Sequence, residues 1–154
     1  MSTPGDLIWT VTMNPCIDLF TEVQEMEPRR KLRASAPRRQ PGGGGINVAR
    51  AINRLEGTAL ALFPAGGLTG SHIRELLERE GVMSHSISTT DVSRENLAVL
   101  DRSSGNQYRF VMPGPRLEKQ EWSRFLELIE DVAPTISILV ASGSLPGGVP
   151  EDFY

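Results

Sequence analysis

Between residues 41 and 57 the chain reads PGGGGINVARAINRLEG, with four consecutive glycines, an asparagine and then a helix-like pattern. Glycine is the costliest residue to order and the easiest to place at φ > 0. A run of four is therefore either slack linker or backbone that something approaches closely. A purely structural turn accounts for one or two glycines. Placed ahead of a helix, where free N–H groups favour anions and ligand oxygens, the run implies a site for a small polar ligand. It is not a Walker loop, because GxxxxGK[ST] is absent. It is not read as a Rossmann turn, because no strand is expected to lead directly into it.

Other residues could serve such a site. Six cations, Arg29, Arg30, Lys31, Arg33, Arg38 and Arg39, fall within eleven residues of a chain whose net charge is −3. A solvated basic loop and a site for a small anion both fit them. A nucleic-acid patch fits less well, since the chain is acidic and the run lacks interleaved aromatics. Three strand ends carry polar or glycine-rich loops, NPCID, PAGGLTG and SGSLPGG, where α/β sheets bind ligands. Each candidate also has a plain reading: Asn47 as a helix cap, Asp18 and Arg94 as solvated residues, Ser144 as a turn cap. His72 and His85 are assigned nothing.

The elements that must position these residues follow from periodicity. Leu7–Met13 is β-prone, and residues 17–41 read as short exposed strands or irregular segments. A helix is expected over Asn47–Leu55 with Gly57 ending it, a strand in TALALFPAGG, and a helix in TGSHIRELLEREG closed by Gly81. NLAVLDRSSGNQYRFVM reads as a hairpin turning at 103–106. Leu117–Ala133 is a helix presenting Trp122, Phe125, Leu126, Ile129 and Ala133 on one face, and ISILVASGS suits a central parallel strand. Alternating strands and helices imply a parallel sheet with two β excursions outside it. Pro150-Glu151-Asp152 resembles a helix start, from which a longer native chain is expected.

With 154 residues, 39% hydrophobic and 23% charged, the chain suits one globular domain, not disorder. The N-terminus lacks signal-peptide features, no apolar run could span a bilayer, and Cys16 is the only cysteine. These features suit the cytoplasm and imply no membrane or nucleic-acid partner.

PGGGGINVARAINRLEG followed by FPAGGLTG resembles the first signature of the PfkB (ribokinase-like) sugar kinases. TVTMNPCIDLF, KLRASAP, SRENLAVL, GNQYRFVMPGP and SGSLPGGVP are similar in order and spacing to its phosphosugar branch. The resemblance implies a ribokinase-like α/β layer, N-terminal part only, with a small β lid from about 18–41 and 92–113 that pairs two chains into a homodimer. It implies ATP-dependent phosphorylation of a ketohexose phosphate, foremost fructose 6-phosphate, with fructose 1-phosphate and tagatose 6-phosphate as other acceptors. Asp18, Gly43, Gly44 and Asn47 would hold the sugar, and Lys31, Arg94 and Ser144 its phosphate. The family's glycine-alanine-glycine-aspartate turn, which supplies the base, is absent, as are the ATP pocket and the magnesium element. ATP and Mg2+ are therefore expected to bind outside residues 1–154, no catalytic residue is assigned, and the chain alone is expected to be inactive. A non-catalytic sugar-phosphate-binding fragment is the other implied reading.

Overall fold

Alternation along the first strand sets the layers. In the computed structural model, which describes residues 7–154, β1 (Ile8–Val11) and the residues after it bury Trp9, Val11 and Met13 in one apolar cluster. Thr10 and Thr12, also buried, fall on the opposite face by the two-residue period of a strand. Most of the N-terminal stretch read for a signal peptide lies outside the described residues.

β1 pairs in parallel with β4 (Ala59–Gly66) on one side and β8 (Ile138–Ala141) on the other, and β4 pairs in parallel with β5 (Met83–Thr89), giving the order β5-β4-β1-β8. Helices α1 (Gly44–Arg54) and α2 (Gly67–Arg79) cover one face. There Ile46, Ala49, Ile73 and Leu77 pack on Ala59, Ala61 and Phe63. Helix α3 (Lys119–Val132) covers the other, inserting Phe125 beside Trp9, Val11 and Leu62. Each such fully buried side chain contributes about 1.5–3 kcal/mol through removal from water.

The two excursions form one separate sheet. β2 (Cys16–Val23) lies between antiparallel β3 (Arg38–Gly42) and parallel β6 (Arg94–Asp101), and β7 (Gln107–Phe110) completes the hairpin, in the order β3-β2-β6-β7. The expected α/β architecture with a parallel layer is therefore present.

Several local expectations are corrected. α1 begins at Gly44, not Asn47, so Asn47 lies inside the helix and does not cap it; the N-cap is Gly43 at φ 122. β3 runs straight into the glycine loop, although it belongs to the second sheet and not to the parallel layer. α1 closes through the Gly57 N–H to Ile52 and the Glu56 N–H to Asn53, with Glu56, not Gly57, at positive φ. Gly81 does end α2 at φ 71. On α3, Leu126 is exposed and Leu128 packs inward instead, and Ala133, expected within that helix, is exposed in the 3-10 turn that follows it. β8 is an outer strand of the described sheet, not a central one, and Pro150–Asp152 makes a turn closed by the Phe153 N–H. Among the described residues no helix is long and apolar enough to cross a membrane.

Candidate functional site

After β1 the chain adds β4 and β5 on one side and β8 on the other. The carboxyl ends of β1 and β8 thus flank a point where strand order reverses, the place where α/β sheets open a crevice. The loops there are Thr12–Pro15 and Ser142–Ser144, and the glycine loop reaches the same point from β3.

Close packing explains the glycines. A Cβ on Gly42 would collide with the Asp18 carboxylate, and one on Gly43 with Thr12. One on Gly44 would stand 2.5 Å from Ser142 Oγ, and one on Gly45 2.5 Å from the Val11 carbonyl. With a glycine at the N-cap, the first N–H groups of α1 are satisfied from elsewhere. Ile46 donates to Thr12 Oγ1 at 2.8 Å and Gly45 to the Ser142 carbonyl at 3.2 Å. The N–H of Gly44 has no intrahelical acceptor. The start of α1 is thus fastened to the β1 and β8 loops while its first amide stays available to a ligand.

Asp18 leaves β2 beside this loop. Its Oδ1 accepts from Asn96 Nδ2 at 3.0 Å and from the Cys16 thiol at 3.3 Å. Burial, then the Asp18 carboxylate, pushes the Cys16 thiol up to about 12, so it stays protonated and can only donate to Asp18. Two residues before Asn96, Arg94 donates to the Met112 carbonyl at 3.1 Å and to the Asn14 carbonyl at 3.2 Å. Its Nε is buried without a partner, and none of the ion pairs found among the described residues involves it. Asn14 donates from Nδ2 to Ser144 Oγ at 3.1 Å, while its buried Oδ1 has no partner. Because Ser144 Oγ accepts that bond, its own proton is free to donate outward.

Asp18, Gly43, Gly44, Arg94 and Ser144 are therefore drawn together where the carboxyl ends of β1 and β8 meet the starts of β2 and β6. Asn47 stands on the exposed side of the first turn of α1, its Oδ1 accepting from Arg50 at 3.3 Å. Arg50 is 8% exposed. It also donates to the Pro41 carbonyl just before the glycine loop and makes a two-pronged pair with Glu80 at 2.7 and 2.8 Å. Lys31 is exposed and lies in the connection between β2 and β3, lining a hollow with Val23, Glu25, Glu27 and Arg30. The structure does not join it to the cluster.

Thr12, Asn14, Cys16, Asn96 and Arg50 were not singled out from sequence. Lone asparagines carry no motif, and only the pairing of β2 with β6 brings position 96 beside position 18. The polar NPCID loop at the end of the first strand is the sequence feature that pointed here. Among the described residues no group of His, Cys, Asp and Glu could hold a metal ion.

The family model described as "pfkB family carbohydrate kinase" matches residues 11–154. The chain is 46% identical over 147 residues to ATP-dependent 6-phosphofructokinase isozyme 2 of Mycobacterium tuberculosis, covering 96% of this chain and 43% of that protein. It is 48% identical over 142 residues to the isozyme of the same name from Escherichia coli K12, covering 92% and 46%. The crystal structure of phosphofructokinase-2 from Escherichia coli in complex with fructose-6-phosphate superposes with a TM-score of 0.88 at 46% identity, covering 95% of this chain and 48% of that one. The chain thus spans about half the length of the relatives it matches.

Proposed function

The chain belongs to the pfkB family of carbohydrate kinases, and we propose that it carries the acceptor-binding half of an ATP-dependent 6-phosphofructokinase. The observation that carries this is the meeting of an accepting carboxylate (Asp18), an uncompensated cation (Arg94) and an outward hydroxyl donor (Ser144) at a glycine-lined crevice. The identity of 46–48% to 6-phosphofructokinases supports fructose 6-phosphate as the acceptor.

In this role Asp18 accepts hydrogen bonds from sugar hydroxyls, and the Gly44 amide and Asn47 hold the sugar from the start of α1. Arg94 and Ser144 meet the phosphate through charge-assisted bonds. Lys31 would add a further cation where its connection folds over the ligand. ATP with Mg2+ would supply the phosphoryl group when bound. The part of the described residues is to bind and orient the acceptor, a contribution of positioning. The second sheet serves as a lid, and its outer strands β3 and β7 offer edges through which two copies would pair. The place of action is the cytoplasm, where ATP and phosphorylated sugars are held.

The test is a coupled ADP-release assay on the protein of full family length with Mg-ATP. Fructose 6-phosphate is expected to be the preferred acceptor over fructose 1-phosphate and tagatose 6-phosphate. A response to ribose or adenosine and to no hexose phosphate would overturn the proposal.

A further inference from the structure

Asn96 lies opposite Asp18 in the parallel pairing of β6 with β2. Its amide makes three contacts. Nδ2 donates to Asp18 Oδ1 at 3.0 Å and to Cys16 Sγ at 3.1 Å, and Oδ1 accepts from the Met112 N–H at 3.1 Å. The Met112 N–H can only donate, so it fixes which amide atom faces it and leaves Nδ2 for the carboxylate. Both bonds to Asp18, from Asn96 and from Cys16, end on Oδ1. Oδ2 is turned toward Gly42, where a Cβ would collide with it. The carboxylate is therefore held by hydrogen bonds at one oxygen, while the other lies against the glycine loop with no hydrogen bond among the described residues.

We propose that Asn96 is the positioning residue for Asp18, anchoring Oδ1 to the Met112 backbone so that Oδ2 faces the crevice to accept a sugar hydroxyl. This rests on the acceptor-binding role of Asp18. Aspartate at position 96 has the size and shape of asparagine, and when protonated it keeps the acceptor for the Met112 N–H and one donor for Asp18, losing only the second donor, to Cys16. When ionised it sets two carboxylates about 3 Å apart, which cannot both stay charged without strong mutual destabilisation. The other charged or titratable groups facing the pair are the Cys16 thiol, Arg94 and Arg109. The thiol, pushed up to about 12, stays protonated, so the proton lost across the neutral range is the one the two carboxylates share.

The experiment titrates fructose 6-phosphate into the 154-residue chain by calorimetry from pH 5.5 to 9, for the unaltered chain and for N96D, N96S and D18N. The ratio of variant to unaltered affinity at each pH cancels the titration of the sugar phosphate itself. For N96D that ratio is expected to lie near one at the acid end and to fall roughly tenfold or more as the shared proton is lost. N96S is expected to bind roughly tenfold more weakly at every pH. Thermal unfolding in the same buffers identifies any loss through unfolding, and where N96S melts early the isosteric N96D carries the test. A pH-independent N96D ratio, or N96S binding at full strength, beside a weakened D18N overturns the positioning role alone. Full-strength binding by D18N, or no binding by the unaltered chain, overturns the role of Asp18 and this inference with it.

Discussion

Arg94 is a half-buried cation whose partners among the described residues are neutral: two backbone carbonyls hold it, and its Nε has none. Carbonyl dipoles fix the guanidinium without cancelling its charge, which keeps the charge available to an anion. The Asn14 backbone carbonyl orients Arg94 and its side chain orients Ser144, so one residue aims both groups assigned to the phosphate. Replacing Arg94 by alanine is expected to remove a charge-assisted contact worth on the order of 1.5–3 kcal/mol. Binding of fructose 6-phosphate should weaken roughly ten- to hundredfold, measured by calorimetry. Unchanged affinity in a folded R94A protein would remove Arg94 from the site.

Among the elements, the hairpin joining β6 to β7 depends on one carboxylate. Asp101 accepts from the Ser103 hydroxyl at 2.8 Å and its N–H at 2.9 Å, and from the Ser104 N–H at 3.4 Å. The Ser103 hydroxyl leads these bonds in holding the carboxyl at about 2, against an ordinary 3.8. A folded value below the unfolded one means stability that is fully present above about pH 4 and is lost as pH falls through 2. In denaturant titrations at pH 5 and pH 2.5, the chain is expected to lose more stability on acidification than D101N, in which the titrating group is gone. Equal losses would show that this turn does not depend on the charge. The turn itself was legible in Ser103–Asn106, as were α2, α3 and β4, because their patterns are strongly periodic or punctuated. β5 was not, because MSHSIST is polar and mostly exposed. Tertiary pairing with β4 makes it a strand, overriding the local pattern. α1 starts early because its first N–H groups find acceptors on Thr12 and Ser142, which no local sequence rule foresees. Of the candidate site, the glycine loop, Asp18, Arg94 and Ser144 were named through the family resemblance and meet at the crevice, whereas Lys31, named with them, lies apart. Asn14, Cys16 and Asn96 were not readable, since their roles exist only once strands distant in sequence are paired.

At the scale of the whole molecule, the proposed reading gives the described residues one side of a two-substrate reaction. Phosphoryl transfer requires a group to take the proton from the accepting hydroxyl and preorganised charge to stabilise the phosphoryl oxygens as the bond to the leaving group breaks. Asp18 is proposed to hold sugar hydroxyls, and its Oδ1 is already engaged by Asn96 and Cys16. Arg94 is committed to the acceptor's own phosphate in the proposed pose. Among the described residues the outer strand β8 also has no pairing partner on its far side and presents Ile138 at 53% and Leu139 at 43% exposure, an arrangement that favours self-association. The 154-residue chain is therefore expected to bind fructose 6-phosphate without turning it over. Incubated with Mg-ATP and each ketohexose phosphate, it should release ADP no faster than buffer, and light scattering should report a mass above that of the monomer. Turnover that co-elutes with the chain on a sizing column, and that R94A weakens, would show that the acceptor half contains the chemistry as well as the binding.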